Sequence, residues 1–155
     1  MEDMVAKKLG EAVALCSMGA ELVKEYEAML SSAMDKGALE KKADTFTEHT
    51  RRSQEVGEAL GVGDAVKQAA DNAREKFTEM RDTFMESETD NPLKVVSWMG
   101  LAAAGGLAIW VILDVASEKM DNDDLHALSE EAVKFQKQNL ADGEEALRKL
   151  VEQQS

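Results

Sequence analysis

Few residues in this chain have the type and spacing to do chemistry, and the clearest candidates are Glu27, His49 and Asp114. A helical bundle commonly holds a di-metal centre between facing carboxylates and imidazoles. One Glu comes from each of two helices, and a Glu-x-x-His pair comes from each of the other two. Residues three apart face the same side of a helix, so such a pair can reach one ion together. His49 lies on an apolar helical stripe, but Glu48 points away from it and Arg52, three residues on, is no ligand. Glu25 and Glu27 flank an apolar arc on opposite sides, while Glu21 falls further out. Asp114 shares a helical line with Val96, Ala103, Leu107 and Trp110, so it is expected partly buried and in need of a partner. Further along, the inner positions with the right spacing are Gln136 and Asn139. Amides are weak ligands for iron and cannot balance its charge. An imidazole bonded to a neighbouring helix is the favoured role of His49, and His126 is expected at the surface.

Other chemistries find less support. No Ser, Thr or Cys stands in a recognisable nucleophile setting. The glycines of "ALGVGD" follow a helix rather than a strand, which argues against a phosphate loop. Cys16 is the one cysteine, so there is no intrachain disulfide, and it is expected as a small buried hydrophobe.

The elements that must position these residues are helical. Ala, Leu, Met, Glu and Lys abound, proline occurs once, and β-branched residues are scattered. Apolar periodicity predicts five helical segments. The first runs from about Asp3 to Asp35, with Gly37 as its stop, on an arc that includes Val5, Ala12, Leu15, Leu22, Val23 and Leu30. Gly19 lies in that arc, where a neighbouring helix could come close. The second runs from about Ala38 to Leu60 on Leu39, Ala43, Phe46, His49, Ser53 and Val56. The third begins near Asp64, and its narrow stripe suits the surface of a bundle. "ESETDNP" is a break, after which Asp90 or Asn91 caps a fourth helix with Pro92 in its first turn, running to about Lys119. "DNDD" caps the fifth, from about Asp123 to Glu152. With short loops these make one domain over residues 1–155, an antiparallel four-helix bundle with an additional helix.

The fourth segment contains "VVSWMGLAAAGGLAIWVIL", residues 95–113, without a charge. As a helix it would span about 28 Å, enough for a thin bilayer. Its flanks are poor for a membrane. Lys94 is the one nearby basic residue on one side, Asp114 and Glu118 follow on the other, and Trp98 and Trp110 lie only about 18 Å apart. The amphipathic neighbours need an apolar partner, so the expected place of this helix is the middle of the bundle. Membrane insertion through residues 95–113 is the alternative. Interior glycines each cost roughly 1 kcal/mol relative to Ala, so Gly105 and Gly106 call for a close neighbour. That neighbour could be a helix, a second subunit or an apolar ligand. Trp98, Gly105, Gly106 and Trp110 are the expected core or interface residues.

The formal net charge of −13 argues against nucleic acid and against an anionic membrane surface. The charged, amphipathic start lacks the pattern of a signal peptide, so a cytoplasmic location is expected.

"GAELVKEYEAMLSSAMD", "FTEHTRRSQEVGEALG", "LAAAGGLAIWVILDVASE" and "EEAVKFQKQNLADGEEALRKL" together resemble the four core helices of the ferritin-like superfamily, nearest to its stress-associated YciE-type branch. The resemblance implies a ferritin-like bundle and a stress-related role. Where that family carries a metal-binding Glu followed by an aromatic, this chain places Gly106 and Trp110. Where it carries Glu-x-x-His, this chain places Gln136 and Asn139. The expectation is a bundle without a competent di-iron centre, acting non-catalytically as a homo-oligomer or with a protein partner. No cofactor is expected. The alternative is an iron-binding protein, for storage or oxidation, with an atypical site on Glu27, His49 and Asp114.

Overall fold

The computed structural model describes residues 1–154, and all regular structure among them is helical. The order is α1 (Glu2–Glu25), α2 (Glu27–Leu30), α3 (Lys36–Ala59), α4 (Gly63–Met85), α5 (Pro92–Lys119) and α6 (Asp123–Glu152). The five long helices form the bundle, and α2 is a single turn.

The caps follow from local chemistry. Side-chain oxygens of Asp35, Asn91 and Asn122 accept from the backbone N–H groups of Ala38, Leu93 and Leu125 at 3.0, 3.1 and 2.9 Å. Pro92 takes the first turn of α5, where its missing N–H has no partner to lose. Gly61 turns the chain out of α3 at φ +76°, a conformation that suits glycine.

The first expected helix is interrupted. Tyr26 adopts φ −103° and ψ 14°, which separates α1 from the single turn of α2. Ser31 and Ser32 then donate their hydroxyls to the carbonyls of Glu27 and Met29 at 2.7 and 2.9 Å. Such local bonds compete with helix continuation. The break therefore comes before Asp35, and Gly37 lies inside the first turn of α3 rather than ending a helix.

Packing divides the helices into two groups. α5 and α6 run together as a long hairpin, while α1 lies along both α3 and α4 and reaches α5. Two apolar cores result. One joins Leu9, Val13, Trp110, Leu113, Leu125 and Leu128; the other joins Val23, Leu30, Leu39, Val96, Ala146 and Leu150. Phe46 packs against both. Its ring also lies over Gly19, where an added Cβ would meet it at 2.9 Å, so the gap at Gly19 receives a side chain.

α5 departs from the expected central stave. Val95, Val96, Ala103, Gly106, Ile109, Trp110 and Leu113 are buried, but Leu101, Val111, Ile112 and Val115 are 40–54 % exposed. α4 packs on α1 and barely meets α5, which leaves the outer face of α5 uncovered. By length and composition α5 is long and apolar enough to cross a membrane, and 39 % of its most apolar window is buried.

The α1–α4 crossing is closest at Gly10. A Cβ there would lie 2.4 Å from the Ala69 Cβ and 2.7 Å from the Ala70 backbone nitrogen. Backbone cannot swing aside as a long side chain can. Gly10→Ala is expected to destabilise the fold by about 1–3 kcal/mol in chemical denaturation, although Ala is the better helix former. A variant as stable as the parent would mean that the helices do not approach this closely.

Candidate functional site

The middle of the bundle is where a di-metal centre would sit. α3 presents Lys42, Phe46 and His49 inward, α5 presents Gly106 and Trp110, and α6 presents Gln136 and Asn139. Gly106 and Gln136 are direct neighbours, since a Cβ on Gly106 would be 2.9 Å from the Gln136 Nε2.

Lys42 is 8 % exposed, and its ammonium donates to the Asn139 Oδ1 at 2.7 Å and to the Asp142 carboxylate. Asn139 in turn donates to the Gln136 Oε1 at 3.2 Å. Partial burial pushes the Asp142 carboxyl up, but bonds from Lys42 and Gln138 outweigh it and hold its pKa below the usual value. The expected inner stripe of α3 passed over this lysine. The signal was present, because Lys42 stands three residues after Leu39 and four before Phe46, on the same face.

This donor set does not fit a di-iron centre. Two amides, an ammonium and a glycine stand where carboxylates would have to balance the metal charge. The buried cation alone would repel another.

His49 is 1 % exposed, and neither ring nitrogen meets a protein hydrogen-bond partner. Its ring stands edge-on to Phe135 and Trp110, at centroid distances of 5.4 and 6.2 Å. The nearest carboxylate is that of Glu131, 3.8 Å from Nε2, and Arg52 is already bound to Glu131. The hydrogen bond to a neighbouring helix that the sequence suggested is therefore not made. Burial pushes the His49 pKa down, against a smaller upward pull from Glu131.

A second cluster lies at the α5–α6 turn. Ligand atoms of Asp114, Glu118 and His126 all fall within 4.8 Å of one another. The Asn122 cap starts α6 so that His126, one turn in, faces α5. There its Nδ1 lies 3.0 Å from the Asp114 Oδ1 and 3.3 Å from the Ser117 Oγ. Its Nε2 is 3.6 Å from Glu130. An imidazole on the next helix thus lies beside Asp114, but the contact is one of proximity, since the buried Asp114 Oδ1 accepts no hydrogen bond. Two carboxylates and one imidazole could hold a single divalent cation. Sequence reasoning placed His126 at the surface and did not join it to Asp114, because the pairing depends on how tightly the hairpin turns.

Among the described residues this is the one group of three such donors, and neither Glu27 nor His49 belongs to it. Glu27 opens α2, 3.8 Å from the Lys36 ammonium. Of the expected core or interface residues, Trp110 and Gly106 are buried. Trp98 is half-buried and tilts against Phe84 at a centroid distance of 5.7 Å. Gly105 is exposed, with nothing within 4 Å of an added Cβ.

Fold and site define an all-α bundle with an acidic–imidazole cluster at one end and, among the described residues, no di-metal ligand set at its centre. No family model matches the chain, and neither the curated proteins nor the solved structures include a significant match.

The His49 pKa is lowered in the fold, so the unfolded chain binds the extra proton first as pH falls. Stability is unaffected above the ordinary histidine value near 6.5 and declines as pH drops from there to the depressed folded value. His49→Leu removes both orphaned nitrogens and the titration. The variant should lose less stability than the parent between pH 7.5 and 5, as read by urea melts at each pH. Parallel losses in the two proteins would rule out a buried neutral imidazole.

Proposed function

We propose that this chain is a non-catalytic, ferritin-like helical bundle that works by self-assembly through the outer face of α5. The observation that carries the reading is the spacing of that face. Leu101, Ala104, Ala108, Val111 and Val115 are all exposed and repeat at the alternating three- and four-residue intervals of a helix-pairing seam. The rest of the surface is strongly acidic, as the net charge of −13 requires. A continuous apolar face on such a surface marks a contact site.

A second copy of the chain suits the face better than other occupants. Antiparallel pairing about Ala108 sets Leu101 of one copy against Val115 of the other. The same symmetry sets Ala104 against Ile112 and Gly105 against Val111. In the latter two pairs a large residue meets a small one, which lets the backbones approach near the middle of the seam. This arrangement also gives the exposed Gly105 a role.

The expected outcome is a dimer by light scattering at micromolar concentration. Val111→Glu should halve the mass and leave a folded helical monomer, less stable than the parent only by what dimerisation adds. A parent that is monomeric at these concentrations would sink the proposal. Flotation of the parent with liposomes would favour membrane insertion through residues 95–113 instead.

One observation favours a second reading, in which Asp114, Glu118 and His126 hold one divalent cation, iron included. This reading predicts about one ion per chain by elemental analysis after growth with iron, lost on Asp114→Asn. Metal-free parent protein under those conditions would dispose of it.

A further inference from the structure

Between the two apolar cores the helices border a partly open cavity of about 260 Å³. All five long helices border it. It exists because small residues stand where larger ones would fill the bundle, notably Ala102, Ala103 and Gly143. Gly143 is buried, yet a Cβ built on it would meet nothing within 4 Å. That position faces open space inside the protein. A mid-helix glycine with room for a side chain is a stability loss that packing does not explain.

The walls are apolar, with Leu22, Met34, Phe77 and Met99 among them, and flexible methionines let such a wall adapt to its contents. One side is polar. Gln136 is 3 % exposed and lines the space; its Oε1 is taken by Asn139, while no protein acceptor among the described residues meets its Nε2. A free amide donor at the wall of an otherwise apolar space is available to an acceptor on a guest. Lys42 and Asn139 complete that wall, but the Lys42 charge is already matched by Asp142. Arg81 also borders the space, with its guanidinium on Asp82 at 3.2 Å, so both cations at the cavity are paired within the protein.

We propose that this cavity binds a small, neutral, mostly apolar molecule with one hydrogen-bond acceptor, such as an alcohol or ketone, held by the Gln136 Nε2. An engineered apolar cavity of roughly 150 Å³ takes benzene, so this one has room for about ten non-hydrogen atoms. The mouth lies between α4 and α5, where Met80 and Leu101 are 50 % and 54 % exposed and the two helices scarcely touch.

Nonanol, with nine carbons and one oxygen, is a suitable probe. Calorimetry should show saturable binding of one nonanol per chain below its solubility limit, with a raised melting temperature. Gly143→Leu fills the space and adds a better helix former, so it should melt no lower than the parent and bind at least tenfold more weakly. Gln136→Leu should weaken nonanol about tenfold and leave nonane unchanged, the effect of losing one hydrogen bond. Nonanoate should bind more weakly than nonanol. The inference is overturned if nonanol shows no saturable binding, if a folded Gly143→Leu protein binds it like the parent, or if nonanoate binds better.

Discussion

A lysine ammonium buried between α3 and α6 sets the terms for the bundle centre. A buried charge is tolerated only when it is paired and hydrogen-bonded. Asp142 and Asn139 supply both needs for Lys42, and Asn139 is in turn oriented against Gln136. α3 and α6 are joined also by Phe46 and His49 against Phe135 and by Arg52 on Glu131, and the polar seam adds the buried tie among these. It also decides what the centre can do. A fixed cation and two amides offer no place for a metal pair, whereas a free amide donor beside apolar walls offers a place for a neutral ligand.

The apolar side of the fold is organised around that seam. Trp110, Leu113, Leu125 and Leu128 close one end of the bundle, and Val23, Leu39, Val96 and Leu150 close the other. Burying a large apolar side chain contributes roughly 1.5–3 kcal/mol, so two such cores can hold the helices while the level between them stays loosely filled. The small residues of α5 belong to that level. On one side Gly106 lets Gln136 lie against the helix; on another, Gly105 and Ala104 leave the outer face low enough for a second backbone.

Self-assembly and ligand binding thus draw on two sides of one helix. An amphipathic helix has a single apolar stripe to bury. α5 is apolar nearly all round, and its own bundle covers only one face. The surplus surface asks for a partner outside the chain, and the acidic remainder of the surface confines that demand to a single strip. At the far end of α5, Asp114 lies beside His126 across the hairpin turn, with its buried Oδ1 still without a hydrogen bond.

What could be read from the sequence alone rests on short-range physics. Asn91 with Pro92, and the Asn122 cap, announce helix starts because the capping bond spans two or three residues. Apolar stripes announce the long helices because their period is the geometry of the helix itself. The missing Glu-x-x-His pair is visible for the same reason: its two members must lie one turn apart. Tertiary structure decided the rest. Lys42 meets Asn139 and Asp142 across 97 and 100 positions of chain. Which face of α5 is covered depends on α4 settling on α1, and the Asp114–His126 pair depends on the hairpin turn. No local pattern encodes such contacts, because each is set by where whole helices pack, and that is the joint outcome of every buried face at once.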